Sequence, residues 1–269
     1  MMKIHKKPLF AAVAAIFLCG SASTFAAEAA EANAVIPITP YRPSVSDSAQ
    51  LPAVGQLELE LGGAVDTFQH QRRYALPSLL KLAFSREWGV LLGSDGLISE
   101  KNEQGRRQTG YGDTSVTAKR AWIVDEETAF GLELGALLPT AAKKFGAEKT
   151  DYTANGIYSQ DWGKWHADFN VSFTHLGLHE PGVSRWQTGL ANSWSYAVSE
   201  TWSATAEWSG THRTGDLSGS QLLFALSFSP TQRLTFDVGV TKGLRKGTNS
   251  ASADHGFFAG VVMPLGRVF

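Results

Sequence analysis

Carboxylates in this chain recur at alternate positions, each embedded in a run where polar and apolar residues take turns. Glu58 and Glu60 flank Leu59. Asp113, Glu133, Asp151, Asp168, Glu207 and Asp237 occupy the polar parity of later runs, where Lys81 and Lys119 are the bases. On an extended strand one parity is one face, so these ten residues are candidates for the lining of an interior. Acids in such excess over bases favour a cation-preferring passage, because rings of like charge select counter-ions. The competing arrangement is a closed, packed interior where the acids pair with Lys81, Lys119 and loop arginines. A second charged set, Arg72-Arg73, Arg106-Arg107, Lys143-Lys144 and Arg245-Lys246, suits lipopolysaccharide phosphates or plain solvation in loops.

Other chemistries have less to stand on. His166, Asp168 and Asn170 share a row, but hydrolysis in such a row needs a serine two residues from the histidine. Ser172 is six residues away, about 20 Å along a strand. His175 and His179 have the i,i+4 spacing of helical metal ligands, yet Gly177, Pro181 and Gly182 oppose a helix there. A phosphate-cradling loop and a dinucleotide fingerprint both need a helix to follow them, and no helical stripe exceeds a turn or two. The expectation is no catalytic residue, no metal, no cofactor and no enzyme.

The elements that carry these side chains are strands. Trp165, Ala167, Phe169, Val171 and Phe173 alternate with His166, Asp168, Asn170, Ser172 and Thr174, which gives one apolar and one polar face. Twelve such runs start near Gly55, Ala75, Trp88, Gly112, Ala129, Thr150, Trp165, Arg185, Thr201, Ser220, Leu234 and His255. Their connections alternate. Short ones fall at 85–87, 123–128, 161–164, 197–200 and 229–233. Longer ones are expected at 64–74, 95–111, 139–149, 175–183, 210–219 and 243–254. An even strand number with turns at one end and loops at the other is the plan of an all-β transmembrane antiparallel up-and-down barrel of the outer membrane, with both termini periplasmic.

A soluble β-sandwich would alternate too. Runs of about ten residues fit a tilted bilayer crossing, whereas soluble strands favour five or six. The polar face recurs in nearly every run. Aromatics also gather at run ends: Trp88, Trp122, Tyr158, Trp165, Trp194 and Trp202 towards the short turns, and Tyr74, Tyr152, Trp186 and Trp208 towards the long connections. Two aromatic belts are the mark of two membrane–water interfaces. The chain ends in Phe269, as many such barrels do.

Composition agrees. The 269 residues are 43% hydrophobic and only 18% charged, with 27 Gly and a net charge of −1. Mean hydropathy is −0.11, too polar for a bundle of membrane helices, and the charge offers no footprint for nucleic acid. Residues 1–26 read as a signal peptide, with Lys3, Lys6 and Lys7 ahead of an apolar run and a small-x-small site at Thr24-Phe25-Ala26. Leu18 before Cys19 does not suit lipidation. Cleavage leaves 21 basic against 25 acidic residues and removes the single Cys. Residues 27–54, rich in Ala and then Pro, read as a periplasmic arm or as a plug folded into the lumen. Residues 55–269 are the barrel.

Arg42-Pro43 with Ser46, then Pro52, Gly55, Gln56, Glu58 and Gly62, resemble the opening of the outer-membrane transporter family named for the meta-pathway of phenol degradation. Gly110-Tyr111-Gly112-Asp113 with Lys119 resembles a further motif of that family. Leu138-Pro139-Thr140 resembles its Leu-Pro-Thr-Gly turn, with Ala141 in place of Gly. The resemblance spans 41–269 and implies passive passage of small solutes, aromatic or other small organic compounds among them. The alternative is an envelope structural or interaction barrel with a closed lumen. Expected partners are outer-membrane lipid and lipopolysaccharide, a small-molecule solute and the barrel-assembly machinery.

Overall fold

A computed structural model describes residues 36–68, 71–101, 105–141, 145–244 and 252–269. The signal peptide, the first part of the arm, and the basic pairs Lys143-Lys144 and Arg245-Lys246 lie outside the described residues. Every described element is a strand: β1 (Gln56–Phe68), β2 (Gln71–Ala75), β3 (Ser78–Ala83), β4 (Trp88–Ser94), β5 (Leu97–Lys101), β6 (Arg107–Tyr111), β7 (Thr114–Ile123), β8 (Thr128–Leu138), β9 (Asp151–Trp162), β10 (Trp165–His175), β11 (Trp186–Ala197), β12 (Trp202–Arg213), β13 (Gly219–Thr231), β14 (Leu234–Gly243) and β15 (His255–Arg267).

Twelve of these make the wall. Each of β15 back through β8 pairs with its predecessor in sequence, then β7 pairs β4, β4 pairs β3 and β3 pairs β1, all antiparallel. β1 pairs β15 from Gln56↔Arg267 to Thr67↔His255, which closes the sheet on itself. Closure leaves no free wall edge. The twelve expected runs are these twelve strands.

The three remaining strands correct the expected connections at 64–74 and 95–111. β1 runs on to Phe68 and pairs β2, while β5 pairs β2 and β6. Each continues a wall strand after a break. Pro77, which has no N–H to give a ladder, separates β2 from β3, and its carbonyl instead accepts from Gly62 N–H at 2.8 Å. The segments expected as loops are therefore a raised flap of sheet above that rim. β12 likewise runs to Arg213, four residues into the expected 210–219 connection. Period two alone cannot tell a wall strand from its extension, because both alternate.

The two faces differ as the alternation dictates. Outward residues are apolar and exposed, including Val90, Leu92, Phe130, Leu132, Val171, Phe173, Phe224, Leu226, Val238 and Phe257. The inward row is polar and buried, with Lys81, Lys119 and Glu58 all at 0% exposure. The inner apolar cluster is small: Ala129 on β8 and Ile157 on β9 meet Ala49, a residue ahead of the barrel.

Candidate functional site: a threaded lumen

Ala49 reaches that cluster because residues 37–54 run through the barrel interior. This strap forms no helix and no ladder of its own beyond an isolated bridge. Its buried backbone groups must therefore find partners elsewhere, and the wall supplies them. Glu58 accepts from Thr39 N–H at 3.2 Å to each oxygen. Glu60 accepts from Tyr41 N–H at 2.8 Å and Arg42 N–H at 3.2 Å. One oxygen of Glu207 takes Val45 N–H, Ser46 N–H and the Ser46 hydroxyl at 2.8–2.9 Å. Asn170 accepts from Asp47 N–H and donates back to the Asp47 carbonyl. Ser159 Oγ accepts from Ala49 N–H at 2.8 Å.

Cations hold the carbonyl side. Lys81 Nζ donates to the Thr39 carbonyl and stands 2.6 Å from Glu60 and 3.2 Å from Glu58. Lys119 Nζ donates to the Ser48 carbonyl and to Glu133 at 2.8 Å. The Tyr41 ring lies between the two ammoniums, 4.2 Å from Lys81 Nζ and 4.1 Å from Lys119 Nζ. Two cation–π contacts in a desolvated space, each worth about 1–2 kcal/mol, fix that ring at the centre, and its hydroxyl donates to the Gln50 carbonyl at 2.6 Å.

The strap returns one cation to the wall. Arg42 Nε and Nη2 donate to the two oxygens of Asp237, both at 2.9 Å. Gly62 and Gly260 face each other across β1 and β15. The space that a Cβ would fill at either one is taken by this guanidinium.

All ten residues expected to line the lumen are buried, and the structure divides them. Glu58, Glu60, Lys81, Lys119, Glu133, Asp168, Glu207 and Asp237 surround the strap. Asp113 and Asp151 sit at the long-connection rim instead. Asp113 accepts from Ala141 N–H and Ala147 N–H at 2.9 and 2.6 Å, and Asp151 accepts from Gly177 N–H at 2.8 Å. Asp113 thus ties the Gly110–Asp113 motif to the residue after Leu138-Pro139-Thr140. Asp168 takes the Ser159 hydroxyl and one nitrogen of His166, whose other nitrogen meets Asp161. The hydroxyl here meets a carboxylate and not the imidazole, so the order of a nucleophile–base–acid triad is not formed. The His175 ring packs on Trp186 at 5.0 Å. Among the described residues no group of three or more His, Cys, Asp or Glu could hold a metal ion.

The aromatic candidates stand on the outer face. Trp165 contacts Tyr196 at 4.8 Å, and Trp202 contacts Phe228 at 4.7 Å, both at the short-turn rim. Trp194 lies slightly deeper, against Trp162 and Phe169, as does Tyr158 between Phe130 and Phe169. Trp88 and Trp122 flank the Arg120 guanidinium at 5.2 and 4.6 Å. Tyr74, Tyr152 and Trp186 stand exposed towards the other rim, and Trp208 lies midway up β12.

Sequence alternation pointed to the wall residues but missed Tyr41, Arg42, Ser46 and Asp47, whose segment has no period. It also passed over Asn155, Ser159 and Ser193, which share the inward parity but carry no charge.

The strap divides the interior in two. A larger chamber of about 650 Å³ opens towards the long-connection rim, with Asp47, Asp66, Asn155 and Thr241 in its lining. A smaller one of about 270 Å³ lies on the short-turn side, lined by hydroxyls such as Ser195, Thr205, Ser227 and Thr235. Arg42 and Pro43 border both.

No protein-family model matches the chain, and no curated protein does. Solved structures similar to it include an outer-membrane channel from Pseudomonas putida F1, with a TM-score of 0.64 at 12% identity over 85% of this chain and 100% of that one. The NanC porin gives 0.56 at 10% over 77% and 100%. The KdgM porin gives 0.52 at 11% over 77% and 98%. At such identities the likeness is one of fold.

Proposed function

We propose that the chain is an outer-membrane channel for the passive passage of small solutes, narrowed by its own strap. The observation that carries this is the pair of polar chambers on either side of residues 37–54, inside a closed barrel whose outer face is apolar. Such an outer face is stable only against lipid, and the aromatic belts then sit at the two interfaces. The similar solved structures, named as channel and porins, support this reading. Both termini are then periplasmic, and the exposed Arg72, Arg106 and Arg107, with the half-buried Arg73 beside them, face lipopolysaccharide phosphates.

The motif resemblance adds a solute class, small aromatic or related organic compounds, and the interior acids add a preference for cations. The decisive experiment is single-channel recording and liposome swelling on the purified protein, with and without residues 37–50. The expected result is small, cation-selective conductance that rises when the strap is removed. No conductance from either form, in barrels that resist unfolding on cold gels, overturns the channel. That outcome favours a sealed envelope barrel, the second reading, which rests on how fully wall and strap satisfy each other.

A further inference from the structure

The flap above the long-connection rim gathers positive charge on one face. Lys101 on β5 stands directly opposite Arg107 on β6. The β2–β5 register, Arg73↔Glu100 and Tyr74↔Ser99, carried one residue on sets Arg72 opposite Lys101. Arg72 in turn is paired with Thr67 of β1, which shares the parity of the exposed, lipid-facing Leu61. Three bases therefore stand in one row across three adjacent strands, on the outward face. Opposed residues of such a ladder have Cβ atoms about 5 Å apart, and like charges there repel.

Arg72, Lys101 and Arg107 are all exposed, and none has an ion-pair partner among the described residues. Two acids of the flap have the other parity: Asp66 and Glu100 share a row with Arg73, whose guanidinium bonds Asp95 at 2.8 Å. The fold gains nothing from three opposed cations. An anion laid across them turns the repulsion into attraction.

The same face shows what carries the anion. The next row towards the wall is Tyr74, Ser99 and Thr109, and the one after it is Leu76, Leu97 and Tyr111. Leu76, Leu97 and Tyr111 are exposed and continue the apolar outer face of the barrel. The order along the flap is thus leucine, then tyrosine and hydroxyl, then base, which is the order of hydrocarbon, interface and charged headgroup in a bilayer leaflet. The Arg107 guanidinium lies 5.9 Å from the Tyr74 ring centroid, so it reaches back across β5 over this face.

We infer that Arg72, Lys101 and Arg107 form a binding site for the phosphorylated headgroup of a glycolipid of the outer leaflet, whose acyl chains lie along Leu76 and Leu97. Each arginine meets phosphate with paired N–H donors, and the lysine adds a point charge between them. This deepens the lipopolysaccharide contact of the proposed function, adds Lys101 to it, and rests on that reading for which rim faces outward.

Native mass spectrometry of the delipidated full chain in detergent micelles tests it. The probe is bisphosphorylated lipid A, set against the same lipid without its phosphates and against inorganic pyrophosphate. One lipid A retained per barrel is expected, at least about tenfold more tightly than either comparison compound. Arg72→Gln, Lys101→Gln and Arg107→Gln are each expected to weaken it about fivefold, the scale of one exposed ion pair. Arg86→Gln removes the same charge from the turn between β3 and β4 at the other rim and should leave retention unchanged. Three variants are used so that a folding failure in one leaves the others to decide. Equal retention of the dephosphorylated lipid, pyrophosphate bound as tightly as lipid A, or folded variants that all match Arg86→Gln would each overturn the site. Bilayer recording on the same preparation separates the two ideas. Lipid A binding without conductance removes the channel and leaves the site, whereas conductance without lipid A binding does the reverse.

Discussion

Arg42 and Asp237, 195 residues apart, form a two-pronged pair with both donor–acceptor distances at 2.9 Å. One belongs to the strap and the other to β14, so this pair is a direct measure of how firmly the strap is seated. Asp237 is 1% exposed at its side chain and Arg42 18%. Breaking a pair this buried by removing one partner costs about 3–5 kcal/mol, much of it from the charge left behind. Arg42→Ala and Asp237→Asn are each expected to lower the urea midpoint and raise single-channel conductance. The double variant should cost much less than the sum, since one interaction is lost in all three.

The guanidinium has room only because two glycines oppose each other on β1 and β15. Gly260→Ala places a methyl where Arg42 Nε and Cζ now lie. The strap should be displaced without any change to its sequence, so Gly260→Ala is expected to reproduce the conductance of Arg42→Ala. Conductance unchanged from wild type would mean that this seat does not govern passage.

Lys119 neutralises Glu133, donates to the Ser48 carbonyl and supports the Tyr41 ring. Lys119→Met leaves the buried Glu133 carboxylate without its cation. We expect a loss of about 3–5 kcal/mol in unfolding experiments from micelles. Lys119→Met with Glu133→Gln should recover part of it, because the second change removes the uncompensated charge.

Ser46 gives Glu207 one hydroxyl and one backbone donor. Ser46→Ala removes only the hydroxyl, a charge-assisted bond of about 1.5–3 kcal/mol. Faster proteolysis of the strap at unchanged barrel stability is the expected outcome. The barrel-wide urea midpoint is the control, and a matching fall in both would assign Ser46 to the fold as a whole.

At the short turn before β8, Asp125 accepts from Glu127 N–H and Thr128 N–H at 2.9 and 2.7 Å. These bonds hold its carboxyl below the ordinary 3.8. A lowered carboxyl stabilises the turn above the unfolded value, and that support disappears as pH falls through the folded one. Carboxyl NMR in micelles should place the Asp125 midpoint below 3.8, and a midpoint at or above it would contradict the capping role.

How much was legible follows from periodicity. Any segment whose side chains alternate between two environments writes them at every second residue, so twelve strands, the polar inward row and the exposed outer aromatics were readable from single residues. The flap made by β2, β5 and β6 was not, because an extension alternates like the wall below it. Nor was the split among the acids: Asp113 and Glu133 follow one rule in sequence, yet one caps a loop at the rim and the other meets Lys119 in the interior.

The sequence by itself determined a closed sheet with an apolar outside and a charged inside, because pleat geometry converts alternation directly into faces. Only the tertiary structure decided what the inside charge is for. The strap has no period, and its bonds run to Glu58, Glu60, Asn170, Glu207 and Asp237, most of them more than a hundred residues away. Such contacts depend on where closure brings the strands around a common axis, which no local pattern encodes. The carboxylates that looked like a selectivity ring are chiefly acceptors for a buried backbone.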